Sequence, residues 1–299
     1  SAGDFSQGAA IAILSKGEHL INIMNAVGYD IVVPGNHEFD YGMEQALKNL
    51  DAIDATVVSC NFVDLATNKP VYEGYVLKEY GDVTVAFVGI STPETYTKST
   101  PTYFQNEKGE YIYSFCETNF YPTVQATVDE AKAAGADYII GIGHLGIDES
   151  SSPYTSKEVI ANTNGIDAFI DGHSHSRIED TVIANKDGKE IPLSQTGEKL
   201  GTIGKVTIKT DGTITAELVE GYDQESTEVN EAVAGIEATF KEYTAQVIAT
   251  SEVDLQMTDA NGKRLVRNNE TNLGDMIADA YRVVMGADIG IMNGGGIRA

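Results

Sequence analysis

Apolar positions between residues 1 and 176 follow two different periods. Leu20, Met24 and Val27 recur at i, i+4 and i+7, which is typical of a helix with one buried face. Continuous apolar runs ended by proline or glycine, such as IVVPG at 31–35, predict short buried strands. The predicted helices cover 9–28, 43–50 and 122–136. The predicted strands cover 29–35, 55–61, 137–146 and 166–176, and residues 73–92 are predicted to form a hairpin. Strands that alternate with helices in this way predict a largely parallel, doubly wound α/β sheet.

Between residues 181 and 220 the pattern changes to a period of two. Runs of alternating apolar and polar residues are separated by Asp-Gly pairs at 187–188 and 211–212. Asp-Gly is a preferred two-residue hairpin turn, so this region is predicted to be an antiparallel meander.

A second domain is predicted after a polar connecting helix at 226–250. Leu273, Ile277, Ala280 and Val284 share one helical face, and the run ADIGIMNGGG that follows is predicted to form a strand. The predicted organisation is therefore a first domain at 1–222, a linker at 223–250 that contains this helix, and part of a second domain at 251–299.

Composition limits the class of protein. The chain has 299 residues, which is enough for about two domains. No apolar run approaches the roughly 18 residues that a membrane-spanning helix needs, so no such segment is predicted. A net charge of -25 argues against a nucleic-acid partner or an anionic membrane surface. An anionic substrate would need local cations or arginines. Cys60 and Cys116 allow one disulfide at most, and whether they pair stays open.

Histidines are concentrated at predicted strand ends. Of five histidines in the chain, His37, His144, His173 and His175 directly follow or end predicted buried strands, whereas His19 lies in a predicted helix. The carboxyl ends of parallel strands line one crevice of an open α/β sheet. Asp4 and Asn36 belong to loops that are predicted to reach the same edge.

This set of residue types favours a metal site. A single buried histidine is more often a core residue than a ligand, but four of them at strand ends with Asp4 and Asn36 reverse that expectation. If the His173-x-His175 segment is extended, its alternate side chains face one site. Imidazole and carboxylate ligands suit divalent zinc, manganese, iron or cobalt.

Asp4 is the predicted bridge, because one carboxylate can hold two cations roughly 3.5–4 Å apart. His37 adjoins Asn36, so it lies beside the metals and suits a general acid or a group that stabilises the transition state. Asp40 either holds the His37 ring in its useful tautomer or caps the turn.

The motifs AGDFSQG, GNHEFDYG, GHLG and GHSHS, in this order, resemble the metal-ligand loops of calcineurin-like metallophosphoesterases. SCNFVD, VGISTPET, ETNLGDMIADA and NGGGIRA narrow the resemblance to the 5'-nucleotidase family, and it covers nearly the whole chain. The resemblance implies an α/β fold: a metallophosphoesterase β-sandwich flanked by helices (α/β/β/α), followed by a partial second α/β domain.

The resemblance also implies roles for individual residues. Asp4 bridges two divalent metal ions, and Asn36, His144 and His173 complete one site. His175 joins the other site, although some members have Gln or Asn there. His37 contacts the phosphate and the transition state, and Asp40 supports it. The identity of the metal (Zn, Mn, Co or Fe) stays open.

An Asp-x-His segment that precedes the AGD loop in the family is absent from residues 1–299. The chain is expected to be truncated at both ends. On this expectation it binds one ion normally and the other weakly, and it hydrolyses poorly.

The NGGGIRA motif is expected to contact the nucleotide. The resemblance implies this role for Asn293 and Arg298, and Arg267 is a candidate second arginine. The glycines allow close approach to the backbone, and the planar fork of arginine suits phosphate. The alternative is a plain strand and turn.

The resemblance implies a hydrolase that removes phosphate from nucleotides with a metal-activated water. Two alternatives use the same metal core: a UDP-sugar hydrolase, and a 2',3'-cyclic-nucleotide phosphodiesterase with 3'-nucleotidase activity. A further alternative is a non-catalytic metal-binding protein of the cell surface. Family members are mostly exported, which predicts a periplasmic, cell-wall or extracellular location.

Overall fold

The computed structural model describes residues 1–247 and 249–297 and divides into two compact units. One unit comprises Ser1–Gln7 and Ser15–Val233, and the other comprises Gly8–Leu14 and the residues from Ala234 onward. The helices are α1 (Ala10–Leu14), α2 (Glu18–Val27), α3 (Met43–Ala52), α4 (Thr95–Lys98), α5 (Phe120–Ala133), α6 (Ser156–Asn162), α7 (Thr227–Thr244) and α8 (Asn272–Met285). The strands are β1 (Ile31–Val32), β2 (Thr56–Val57), β3 (Val63–Asp64), β4 (Lys69–Pro70), β5 (Tyr75–Tyr80), β6 (Val83–Ser91), β7 (Tyr113–Ser114), β8 (Tyr138–His144), β9 (Ala168–Asp171), β10 (Arg177–Ala184), β11 (Glu190–Thr196), β12 (Ile203–Ile208) and β13 (Ile214–Val219).

The first unit is built on a six-stranded sheet with the order β10-β11-β9-β8-β6-β5. The inner strands β11, β9, β8 and β6 are parallel, and the edge strands β10 and β5 are antiparallel to their neighbours. Ser91 at the end of β6 pairs with His144 at the end of β8. The carboxyl ends of the parallel strands therefore meet at one edge, as the alternation of elements predicts.

Apolar side chains pack on both faces of this sheet. On one face, residues of α5 and α6 such as Val124 and Ile160 belong to the same core cluster as Val88 and Ile139. On the other face, the β1–β2 and β12–β13 ladders cover the sheet. Helix α2 packs on β1 from the far side, with Ile21 in one cluster with Val32. Burying each such side chain stabilises the fold by roughly 1.5–3 kcal/mol. The layers are thus helix, sheet, sheet and helix, as the fold class predicts.

Two predicted elements before residue 223 differ from those in the structure. The helix predicted over 9–28 is interrupted, because Lys16 and Gly17 adopt positive φ angles of 50° and 88°. Val27 is 51 % exposed, so the buried face of α2 is formed by Ile21 and Met24. The predicted meander is also not continuous, since β11 pairs in parallel with β9 while β12 and β13 form a separate ladder.

The second unit contains α8, which is capped at both ends. The Thr271 hydroxyl accepts the Gly274 N–H at 3.1 Å, and Gly286 ends the helix at φ 61°. Val284 is 82 % exposed, so the predicted buried face is confined to the half-buried Leu273 and Ile277. The predicted strand after α8 does not form among the residues that the structure describes, because the segment pairs with no neighbouring strand there.

Helices of the described residues are too short or too polar to cross a lipid bilayer.

Cys60 and Cys116 are both free thiols, and burial, with a smaller contribution from Cys116, raises the pKa of Cys60 to about 12.

Candidate metal centre

Three predicted ligands meet at the carboxyl edge of the central sheet. Asp4, His144 and His173 each offer one ligand atom, and these atoms lie within 4.8 Å of one another. Nε2 of His144 is 3.0 Å from Asp4 Oδ2 and 3.2 Å from Asn36 Oδ1. Nδ1 of His173 is 3.2 Å from the same nitrogen. The structure therefore brings together four of the five residues that were predicted to bind metal.

The His144 ring is held in one orientation. Its Nδ1 lies 2.5 Å from the carbonyl oxygen of Ala2, and a carbonyl can only accept, so Nδ1 carries a proton. Nε2 is thereby directed at the ligand group. His144 is 1 % exposed, which keeps water away from this side of the site.

The charges of Asp4 and His144 depend on each other. Burial lowers the pKa of His144, but the Asp4 carboxylate outweighs burial and raises it to about 9. Burial raises the pKa of Asp4, yet the His144 and His37 side chains hold it well below its usual range. Without metal, the pair is thus an imidazolium and a carboxylate at neutral pH.

The donor set fits a divalent cation. A carboxylate oxygen, an amide oxygen and an imidazole nitrogen all face Nε2 of His144; the two oxygens are acceptors, and so is the nitrogen when the His173 proton lies on Nε2. A proton on His144 satisfies only one of them at a time, whereas a cation satisfies all of them. Mixed nitrogen and oxygen ligands suit zinc, manganese, iron or cobalt.

His37 lies beside this group, at the start of a 3-10 turn, His37–Phe39. Its backbone N–H donates to Asp4 Oδ1 at 2.8 Å, and its Nδ1 is 2.6 Å from Asp40 Oδ2. Phe39 is fully buried and packs with its ring centre 5.3 Å from that of Phe62. The turn is thus anchored on one side by an aromatic core and on the other by a predicted ligand.

The His173-x-His175 segment is not extended. Both histidines adopt left-handed φ angles, 75° for His173 and 54° for His175, so the alternation expected of a strand does not apply. Nδ1 of His175 lies 3.0 Å from Glu198 Oε2, and about half of the His175 side chain is exposed. His175 is outside the ligand group in this structure, and its role as a ligand stays a prediction.

Two of the residues predicted to contact a nucleotide, Asn293 and Arg267, lie in the second unit. Asn293 Oδ1 accepts the Gly295 N–H at 3.1 Å and caps a short 3-10 turn, Gly294–Gly296. A Cβ on Gly294 would lie 3.2 Å from the Cα of Arg267, so Arg267 and this turn are neighbours. Arg298 lies outside the described residues.

Gly35 allows the loops of the site to approach one another. A Cβ at this position would lie 2.4 Å from Asp4 Oδ1 and 2.8 Å from Cε1 of His144. Both distances are shorter than van der Waals contact, so a side chain here would displace a ligand. This close packing accounts for glycine directly before Asn36.

Glu38 is a site residue that the sequence analysis missed. Its Oε1 accepts the N–H groups of Phe5 and Ser6 at 2.7 and 3.1 Å. Its Oε2 accepts those of Asp4 and Gly35 at 2.8 and 2.6 Å. The side chain is 1 % exposed and joins the Asp4 loop to the Asn36 loop. No periodicity marks such a residue; the only available signal was its place between His37 and Asp40.

Asp171 performs the same task for the two other loops. Its Oδ1 accepts the N–H groups of Leu145 and Gly146 at 3.1 and 3.2 Å, directly after His144. Gln195 Nε2 donates to Oδ2 at 3.2 Å. Asp171 ends β9, two residues before His173, and burial raises its pKa. Two buried carboxyl groups therefore hold the four ligand loops in place.

Metal affinity is expected to depend on pH through His144. A cation must displace the proton that the raised pKa of about 9 keeps on this ring, while Asp4 is already ionised. The association constant for Mn²⁺ is expected to rise about tenfold per pH unit between pH ~7 and ~8.5. Titration calorimetry in buffers of different ionisation enthalpy should show about one proton released per ion. An affinity that stays constant over this range would contradict the ion pair.

Comparison with known proteins agrees with this geometry. The model of the calcineurin-like phosphoesterase family matches residues 1–177, and the model of the 5'-nucleotidase C-terminal domain matches residues 247–299. The chain is 26 % identical to endonuclease YhcR of Bacillus subtilis over 99 % of its own length and 25 % of that protein. It is 25 % identical to the 5'-nucleotidase of Bos taurus over 100 % of its length and 55 % of that protein.

A solved structure shows the same fold. The crystal structure of a 5'-nucleotidase precursor from Thermus thermophilus superposes with a TM-score of 0.77 at 27 % identity, over 100 % of this chain and 60 % of that one. This chain thus spans a quarter to about three fifths of the length of these relatives. The ligand loops at Asp4, Asn36, His144 and His173 all lie in the range matched by the phosphoesterase model, which is more than half of the chain, and the chain belongs to the calcineurin-like phosphoesterase family.

Proposed function

We propose that this chain carries the metal-binding part of an enzyme that hydrolyses phosphate monoesters of nucleotides. One observation carries the proposal: the ligand group of Asp4, His144 and His173 lies beside the His37–Asp40 pair, which Asp4 holds through the His37 backbone. A site that only stores metal ions, or uses them to stabilise the fold, has no need for a hydrogen-bonded histidine and aspartate beside it. A hydrolase needs such a group to transfer a proton at the leaving oxygen.

Asp4, Asn36, His144 and His173 would hold one divalent ion, and Asp4 and His175 would contribute to a second. When bound, such ions supply an activated water and neutralise charge on the phosphoryl oxygens. Water attacks phosphorus in line with the ester oxygen, which leaves with the nucleoside. Nδ1–H of His37 donates a hydrogen bond to Asp40, which leaves Nε2 for the substrate. A protonated His37 ring would carry its second proton on Nε2 and would pass it to that oxygen.

The names of the relatives and the residues of the second unit support a nucleotide as the substrate. Relatives over the full length of this chain are named 5'-nucleotidases, and the family model of their C-terminal domain matches from residue 247. Asn293 and Arg298 are proposed to contact the nucleotide, with Arg267 as a second arginine. Arg267 adjoins the glycine turn, which supports a shared site.

A second candidate is a phosphodiester or nucleotide-sugar substrate on the same metal core. Two relatives favour it, because one is named an endonuclease and another a trifunctional nucleotide phosphoesterase, each 26 % identical. The net charge of -25 argues against a long nucleic acid and leaves small substrates, such as 2',3'-cyclic nucleotides and UDP-sugars.

Phosphate release tests these alternatives directly. The full-length protein, stripped of metal and reloaded with Mn²⁺ or Co²⁺, is expected to release phosphate from AMP faster than it cleaves UDP-glucose or 2',3'-cyclic AMP. Asp4→Asn should lose both metal and activity. Full metal loading without hydrolysis of any of these compounds, or of p-nitrophenyl phosphate, would establish a non-catalytic metal-binding protein instead.

Export to the periplasm, the cell wall or the outside of the cell is part of this proposal, and it is supported by the resemblance to exported 5'-nucleotidases. Fractionation of the native cells, followed by immunoblotting, is expected to recover the protein outside the cytoplasm. Recovery in the cytoplasmic fraction would contradict it.

A further inference from the structure

Glu94 contacts a predicted metal ligand from a strand end that carries no histidine. It lies three residues after β6, whose carboxyl end pairs with that of β8. Its Oε2 is 3.1 Å from Nε2 of His173. The exposed fractions of the two side chains are 14 % and 10 %, so the contact is largely shielded from water.

This contact determines which nitrogen of His173 faces the ligand group. A carboxylate can only accept, so the proton of the neutral ring lies on Nε2 and the lone pair lies on Nδ1. Nδ1 is the atom that lies 3.2 Å from Nε2 of His144. The arrangement is like that of His144, whose Nδ1–H donates to the Ala2 carbonyl and whose Nε2 faces the ligand group.

Glu94 is itself held by several contacts. Its Oε1 lies 3.6 Å from Nζ of Lys98. Its backbone N–H donates to Thr92 Oγ1 at 3.2 Å. Tyr96, two residues later, packs against the aromatic core at a ring-centre distance of 5.2 Å from Phe104. The carboxylate therefore has a fixed position from which to orient a ring.

We propose that Glu94 is a positioning residue of the metal centre, which fixes the tautomer and the orientation of His173 and makes its Nδ1 a stronger ligand. Outer carboxylates of this kind orient ligand histidines and increase their basicity, and removing one typically weakens metal affinity by 10–100-fold. The inference rests on the proposed function, because His173 is taken there as a ligand.

Binding of Mn²⁺, measured by calorimetry on the full-length protein, tests the proposal without an activity assay. Glu94→Ala is expected to weaken Mn²⁺ affinity by about 10–100-fold. In Glu94→Gln the amide oxygen can still accept a hydrogen bond from Nε2–H of His173, but the negative charge is gone. This variant is expected to lose less than about tenfold in Mn²⁺ affinity. The matched control is Glu130→Ala, an exposed glutamate on α5, which should bind as the parent does.

The ¹⁵N chemical shifts of the His173 ring in the metal-free protein give a second readout that a merely structural role would not move. The parent and Glu94→Gln should show the Nε2–H tautomer, and Glu94→Ala should show a mixture. Unchanged Mn²⁺ affinity in Glu94→Ala, together with a loss in His173→Ala, would overturn the proposal and leave the proposed function standing. If His173→Ala also binds Mn²⁺ as the parent does, the metal centre itself is misassigned and both fail.

Discussion

His37→Ala is expected to retain its metal and to lose about 10²–10⁴-fold in kcat, the usual contribution of a general acid or base. The His37 ring is held by Asp40 at 2.6 Å and lies outside the Asp4, His144 and His173 group. Its backbone N–H donates to Asp4, and alanine preserves that N–H. Removing the ring should therefore affect proton transfer and leave the ligands in place. Steady-state hydrolysis of AMP and metal analysis of the same sample measure the two quantities together.

His19→Ala is the matched control, because His19 lies on α2 outside the site and should affect neither rate nor metal content. Asp40→Asn separates the two interpretations of Asp40. If Asp40 orients the ring, the variant loses activity while the turn stays folded; if Asp40 only caps the turn, activity and thermal stability fall together. Metal content that falls in step with the rate in His37→Ala would show that His37 is a ligand.

Most of the ligand group could be predicted because a simple rule connects sequence to position. Parallel strands end at one edge of a sheet, so histidines at strand ends converge whatever their separation in the chain. His144 and His173 lie at the ends of neighbouring strands, β8 and β9, and meet at 3.2 Å. The same rule does not give side-chain direction. His175 lies two residues further along the same loop, and its Nδ1 is 3.0 Å from Glu198 Oε2 and outside the ligand group.

The sequence pattern did not lead to three carboxylates of the site. Glu38 and Asp171 accept hydrogen bonds from backbone N–H groups. Because every residue except proline has such a group, the sequence does not reveal which residues are their partners. Glu94 acts on a histidine 79 positions away, a separation that only the folded sheet reveals. The strand-end rule applies to it as well, and glutamate after β6 was a usable signal.

Differences in the fold have a similar cause. Periodicity predicts which residues are apolar on one face, but the extent of an element depends on its neighbours. β1 extends over the two residues that pair with β2, Ile31 with Thr56 and Val32 with Val57. The segment after α8 has the composition of a strand and forms none among the described residues, since pairing supplies the hydrogen bonds that a strand requires.

Glu38→Gln is expected to lower the free energy of unfolding by about 3 kcal/mol and to weaken Mn²⁺ binding. Each Glu38 oxygen accepts at least two hydrogen bonds, an arrangement that suits the carboxylate. Burial and the nearby Asp4 carboxylate raise the pKa of Glu38, whereas the charge of His144 and these N–H donors favour its ionised form. Glutamine replaces one oxygen with an NH₂ group that faces two backbone N–H groups. Two charge-assisted hydrogen bonds, about 1.5 kcal/mol each, are then lost.

The matched control for this change is Glu44→Gln, an exposed glutamate in the first turn of α3, which should shift stability by less than about 0.5 kcal/mol. Urea unfolding of both metal-free variants measures the difference, and metal-free protein removes any contribution from lost metal binding. The effect on Mn²⁺ then follows from geometry. Asp4 and Asn36 lie on the two loops that Glu38 connects by hydrogen bonds. Losing these bonds allows the two ligands to move apart, although both must lie within a few ångströms of one ion. A Glu38→Gln protein that unfolds at the parent's urea concentration would show that the loops are held together by something other than this carboxylate.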